Sequence, residues 1–140
     1  RELTEEHLER MRPALDDTLY RRARHVITEN QRTLAVADAI PLGDWDKVGR
    51  QLYASHASLA KDYEVSCPEL DRLVQSAWEL GPENGVIGSR MTGGGFGGCT
   101  ITLVRRPFAE RTVGILKRQF KEAFGYEPAC FLTQAAEGAE

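Results

Sequence analysis

The stretch "GSRMTGGGFGGCTITLV", residues 88–104, decides how the chain is read. It places six glycines within residues 88–98 and then runs directly into Cys99-Thr100-Ile101-Thr102-Leu103-Val104, an apolar and β-branched series. Such a series predicts a strand, and Val86–Met91 ahead of the glycines predicts another. Between them Thr92 to Gly98 forms the loop of a hairpin. A turn alone needs fewer glycines. Two physical readings remain: a tight hairpin with close backbone packing, or a bare-backbone loop whose N–H groups a phosphate or sugar approaches.

Two glycine motifs match by letter and fail by context. Gly93-x-Gly95-x-x-Gly98 satisfies the dinucleotide pattern, which works only when the third glycine opens a helix facing a pyrophosphate. Here a strand follows, and the acidic residue expected further on is missing, because only Glu122 lies near that position, in a helix. Gly93-x-x-x-x-Gly98-Cys99-Thr100 approaches the nucleoside-triphosphate loop, yet Cys99 stands where a lysine must reach the terminal phosphates. A thiol supplies no such charge.

Outward from the loop, the preceding 80 or so residues read as helices. Thr4 with Glu5 and Glu6 is a cap with an acidic first turn, Pro13 marks a break, and a long helix with Leu19, Ala23, Val26, Ile27, Leu34 and Ala37 ends near Ile40, before Pro41 and Gly43. Asp44 caps the next helix, with Trp45, Val48, Leu52 and Leu59 on one side and an end near Asp62. Ser66-Cys67-Pro68-Glu69 fits a capping box, which gives Glu69 a structural role and places Asp71 in a first turn that favours acids. Leu70, Leu73, Val74, Ala77, Trp78 and Leu80 then keep helical spacing until Gly81-Pro82. After the hairpin, a helix from Pro107 carries Phe108, Val113, Leu116, Phe120 and Phe124 to Gly125, and Pro128–Thr133 predicts one more strand. The fold class expected is α+β, with helices packed on one face of a small antiparallel sheet.

The 140 residues and 41% hydrophobic content suit a single domain with a real core. A net charge of −3 opposes a nucleic-acid or anionic-membrane partner. The one basic run, Arg21-Arg22-Ala23-Arg24-His25, falls inside a helical pattern and reads as a solvated face. Cys67, Cys99 and Cys130 form no CxxC pair, and their odd count suits a reduced, cytoplasmic setting. Cys67 and Cys99 read as buried small hydrophobes. No apolar run is long enough to span a bilayer, and the opening Arg1-Glu2-Leu3-Thr4-Glu5-Glu6 lacks the order of a signal peptide. A start at Arg1 without an initiator Met suggests excision from something longer. His7, His25 and His56 share no ligand spacing and read as surface or core-edge residues, so no metal site is expected.

Ser89-Arg90-Met91-Thr92-Gly93-Gly94-Gly95-Phe96-Gly97-Gly98-Cys99-Thr100 resembles the third conserved motif of the GHMP small-molecule kinases, in the form it takes in galactokinases. Tyr63-Glu64-Val65-Ser66-Cys67-Pro68-Glu69-Leu70-Asp71 resembles the segment galactokinases carry upstream of that motif, and Arg1-Glu2-Leu3-Thr4 is also similar. The resemblance implies transfer of phosphate from Mg-ATP to the anomeric hydroxyl of α-D-galactose, with the glycine motif between two strands of a C-terminal domain, bordering the cleft near the phosphates. It implies that Thr92, Gly93, Gly94, Gly95, Phe96, Gly97 and Gly98, with Ser89 and Arg90 beside them, face ATP or sugar.

The family's sugar-binding segment, serine-rich phosphate loop and catalytic Asp do not occur in this sequence. No catalytic residue is therefore expected here, and Mg2+ would be bound through the nucleotide and an N-terminal domain outside residues 1–140. That domain is the expected partner, and its absence predicts an apolar patch around Phe96 and Met91. Arg90 either touches a phosphate or the other domain, or pairs with a local carboxylate. Ser89 and Thr92 either donate to ligand or satisfy loop backbone. Phe96 reads as packing into the core or the domain interface rather than stacking on adenine. The resemblance leaves room for an N-acetylgalactosamine or galacturonic acid kinase, and for a non-catalytic sensor of sugar and ATP.

Overall fold

Helix α1 (Glu5–Met11) starts where Thr4 turns extended: its hydroxyl accepts from the His7 N–H while His7 Nδ1 accepts from the Thr4 N–H at 3.2 Å. His7 thus completes a reciprocal cap. The structure, a computed structural model, describes residues 3–134, so Arg1 and Glu2 of the expected opening segment lie outside the described residues. A short turn at Arg12–Ala14 holds Pro13 and leads to α2 (Asp17–Ala39), capped by Asp16.

Leu8, Tyr20 and Ile27 form the core between α1 and α2, with Leu15 and Ala23 against it. Leu19, Val26 and Leu34, apolar positions of the helical pattern, are exposed. Neighbours lie along one stripe of this long helix, and the apolar period identifies a helix without saying which adjacent stripe meets them.

Asp44 caps α3 (Trp45–Ser58) as expected, its carboxylate accepting from the Lys47 N–H at 3.0 Å. The helix then widens into a single π turn, Leu59–Tyr63, which ends at Glu64 in the left-handed region, φ 59°. A π turn inserted in a helix re-aims the chain that follows it. Helix α4 (Pro68–Leu80) begins without the expected capping box: Cys67 is its cap residue with no side-chain bond, and the Ser66 hydroxyl donates to the Asp71 carboxylate instead. That carboxylate is the stronger acceptor for the hydroxyl.

Strands β1 (Val86–Thr92) and β2 (Cys99–Val104) form the expected antiparallel hairpin, with a bulge between Val86 and Gly88. A third strand at Pro128–Thr133 is not formed, because a strand exists only through ladder pairing and this segment pairs with neither β1 nor β2. Helix α5 (Ala109–Phe124), closed by Gly125 at φ 81°, packs on α4. Met91 anchors one core with Leu59 and Leu70; Ala77, Val86 and Leu116 form another beneath the sheet.

Helix α3 lies against β1 with backbone nearly touching backbone. A Cβ on Gly49 would stand 2.0 Å from the Ile87 carbonyl oxygen, and one on Gly88 would stand 2.8 Å from the Gly49 Cα. Only paired glycines permit that approach. The fold is thus α+β, as expected, and among the described residues no helix is long and apolar enough to cross a membrane.

Candidate functional site

The glycine loop leaves β1 at Thr92 and returns at Cys99, with Gly93, Gly95, Phe96 and Gly97 all at positive φ. It is pinned at one point: the Phe96 N–H donates to the Val65 carbonyl at 2.8 Å. Gly95 lies so close to that carbonyl that a Cβ would stand 2.3 Å from its oxygen, which explains this glycine. Gly94 has no such explanation. Its φ is not positive, and a Cβ there would meet nothing within 4 Å. Among the described residues nothing requires the side chain to be missing there, and the space beside Gly94 is open.

The site residues expected around the loop separate into an outer and an inner set. Thr92, Gly93, Gly94, Gly95, Phe96, Gly97 and Gly98 are on the loop, and Phe96 is 77% exposed, which excludes the core as its place. Its backbone is left-handed, φ 57°, and its side chain stands on the rim of the cavity described below. Ser89 is fully buried and bonds to the Thr102 hydroxyl at 2.9 Å and the Ile101 carbonyl at 3.2 Å. Its hydroxyl is committed to the sheet. Arg90 donates to the Met91 carbonyl at 2.9 Å and pairs with Glu29 on α2 at 3.6 Å, the local-carboxylate alternative.

Met91 is also fully buried, so the apolar patch expected around it is not there. Phe96, Ile101 and Leu103 are the exposed large apolar residues of the hairpin. Alternation along β2 explains the exposure of Ile101 and Leu103: Thr100, Thr102 and Val104 turn toward the helices, and Cys99, Ile101 and Leu103 turn away. Cys99 is therefore exposed rather than buried, while Cys67 is half-buried against Leu59, Leu70 and Met91.

The basic run of α2 is not a solvated face. Arg21 and Arg22 bind the Glu64 carboxylate at 2.9 and 2.6 Å, Arg21 also donates to the Lys61 carbonyl, and Arg22 and Arg24 bind Asp62 through its carbonyl and carboxylate respectively. These bonds clamp the π turn and the left-handed Glu64, one residue before the Val65 carbonyl that pins the loop. The two guanidiniums hold the Glu64 carboxyl below the usual carboxylate range. His25, within the same run, is buried: its Nδ1–H donates to the Ser58 hydroxyl, which donates to Asp62, and its ring stacks on Tyr63 at 4.6 Å. Burial lowers its pKa below the ordinary histidine value.

Val65, Glu64 and His56 were not singled out as site residues by the sequence. The signal was present in part: Tyr63-Glu64-Val65 stands beside the loop-like motif in the same resemblance, but a carbonyl contact across 31 positions has no sequence signature.

Beside the loop lies a cavity of about 700 Å3 between β2, α4, α5 and residues 126–132. Phe96, Gly97 and Gly98 form part of its rim, Leu73, Leu116 and Phe120 part of its wall, and among the described residues Glu69 is the one charged residue lining it. With no cation among the described residues that line it, the cavity offers a polyphosphate no charge partner there. An anion would meet the loop at the exposed backbone of Gly93, Gly94 and Gly97.

Known proteins with the same features bear on this geometry. Residues 36–122 match the family described as GHMP kinases C terminal, a range that takes in both the Val65 segment and the glycine loop. The chain is 46% identical over 140 residues to the galactokinase of Homo sapiens, covering 100% of this chain and 34% of that protein. It is 42% identical to the galactokinase of Clostridium acetobutylicum, covering 99% of this chain and 35% of that protein. Among solved structures, Lactococcus lactis galactokinase complexed with galactose superposes with a TM-score of 0.83 at 41% identity, covering 90% of this chain and 32% of that one. The chain thus spans about a third of the length of these relatives. The matched range contains the hairpin, its glycine loop and the segment that pins it, and the chain belongs to the GHMP kinase C-terminal family.

Proposed function

We propose that residues 1–140 are the single C-terminal domain of a galactokinase, which transfers the γ-phosphate of ATP to the anomeric hydroxyl of α-D-galactose and yields galactose 1-phosphate and ADP. The observation that carries the reading is the 42–46% identity to galactokinases along 99–100% of the chain, glycine loop included. Phosphoryl transfer rests on positioning and charge neutralisation around the γ-phosphate. Residues 1–140 would supply the positioning: Thr92 to Gly98 would border the phosphates or the sugar, with Ser89 and Arg90 supporting the loop from β1. The neutralising groups and the catalytic residues would come from an N-terminal domain, the partner across the cleft. Mg2+ would be held by the nucleotide and that domain; among the described residues no three His, Cys, Asp or Glu side chains stand together to ligate it. Three free thiols suit the cytoplasm for such an enzyme.

The test is galactose-dependent ADP release with Mg-ATP, measured on the full-length protein, on residues 1–140 alone, and on these mixed with the separately made upstream part. Turnover by the full-length protein and none by residues 1–140 alone is expected. Absence of galactose-dependent ADP from the full-length protein overturns the galactokinase reading, and turnover by residues 1–140 alone overturns the assignment of the chemistry to another domain.

A further inference from the structure

The place where β1 feeds the glycine loop is held by a buried histidine. Residue 91 is the last but one of β1, and its N–H points away from β2, toward α3. A buried N–H left unpaired there would be destabilising, because it gives up its bond to water with nothing in return. His56 on α3 satisfies it: the Met91 N–H donates to His56 Nδ1 at 3.2 Å. Nδ1 therefore carries no proton, and the proton of the neutral ring sits on Nε2, 3.2 Å from the Asp71 carboxylate on α4. Asp71 in turn accepts from the Ser66 hydroxyl. A chain of bonds thus runs from the segment after Val65, through Asp71 and His56, to the strand end before the loop. On the loop's far side Val65 itself takes the Phe96 N–H.

We propose that His56 and Asp71 are positioning residues for the glycine loop: Asp71 holds the His56 ring in the tautomer whose bare Nδ1 accepts the Met91 N–H, and this sets where the loop departs from β1. The inference rests on the reading of that loop as the border of the phosphoryl-transfer cleft. It assigns the histidine a state as well as a place. A protonated His56 has an N–H at Nδ1 facing another N–H, so the contact with Met91 is lost when the ring takes up a proton.

The charged groups around the ring are Asp71 from α4, which favours protonation, and Arg90 from β1, which opposes it, with Glu29 of α2 paired to Arg90. Burial opposes protonation more strongly than Asp71 favours it, and keeps the ring neutral below the ordinary histidine range.

The experiment compares the full-length protein with its His56→Leu and His56→Asn variants. Leu fills the site without an acceptor; the Asn carboxamide oxygen replaces Nδ1 and does not titrate. His56→Leu is expected to lower kcat/KM for ATP roughly tenfold or more, with faster amide exchange in the peptide covering residues 86–98, and His56→Asn to recover the rate to within about threefold. Wild type should lose rate as pH falls below the histidine range, and His56→Asn should lose that acid limb. Unchanged exchange and rate in a folded His56→Leu overturn the proposal. If that variant does not fold, the acid limb decides alone, and an identical limb in wild type and His56→Asn overturns it. If the wild-type protein turns over no galactose, the galactokinase reading fails, while the exchange of residues 86–98 still tests the role of His56.

Discussion

Gly94 and Gly95 are adjacent, chemically identical, and present for different reasons. Gly95 sits at φ 84° against the Val65 carbonyl, so Gly95→Ala should destabilise the loop by about 2 kcal/mol through strain and overlap. Gly94 has open space, so Gly94→Ala should leave thermal stability within about 0.5 kcal/mol of wild type and raise KM for ATP or galactose in the full-length protein. Thermal melts and steady-state kinetics on the pair check both. A Gly94→Ala variant with unchanged kinetics would remove the argument that its bare backbone serves a ligand. The sequence announced a loop of unusual glycine content and did not rank its members, because the neighbour that crowds Gly95 lies 30 positions away. Ser89 teaches the same lesson: its hydroxyl is adjacent to the motif in sequence and buried in the sheet in space.

Among the elements, α3 and β1 approach each other backbone to backbone at Gly49 and Gly88. Gly49→Ala should cost about 3 kcal/mol or more, since the added carbon would lie 2.0 Å from a backbone oxygen that cannot rotate away. Gly114 is the opposite case, an exposed glycine inside α5 whose Cβ would meet nothing within 4 Å. Gly114→Ala should stabilise by about 0.5–1 kcal/mol, read as a higher melting temperature. Helix limits were largely legible: the caps at Thr4 and Asp44, the stop at Gly81-Pro82 and the hairpin around Thr92 to Gly98 all follow from local chemistry. Two elements were not. The Ser66 box gave way because Asp71 offered its hydroxyl a charged acceptor, and Pro128–Thr133 has strand composition but pairs with neither described strand.

For the whole molecule, acid sensitivity follows from two buried histidines. Burial lowers the pKa of both His25 and His56 from 6.5, so the unfolded chain binds protons more readily than the folded one. Their contribution to stability is complete above about pH 6.5 and is lost as pH falls through the lowered values. The melting temperature of the protein should fall between pH 7.5 and 5.5, and His56→Asn should lessen the fall; a flat profile would contradict the burial of these rings. By itself the sequence determined the α+β class, the succession of helices, hairpin and final helix, and the similarity of its glycine motif to a kinase family, because these depend on periodicity, capping and composition over short spans. Only the tertiary structure decided which stripe of α2 is buried, that Arg21, Arg22 and Arg24 clamp the π turn rather than face solvent, and that His56 and Val65 hold the two sides of the loop. Those contacts join residues distant in sequence, and pairing at such distances depends on packing that short-span patterns do not encode.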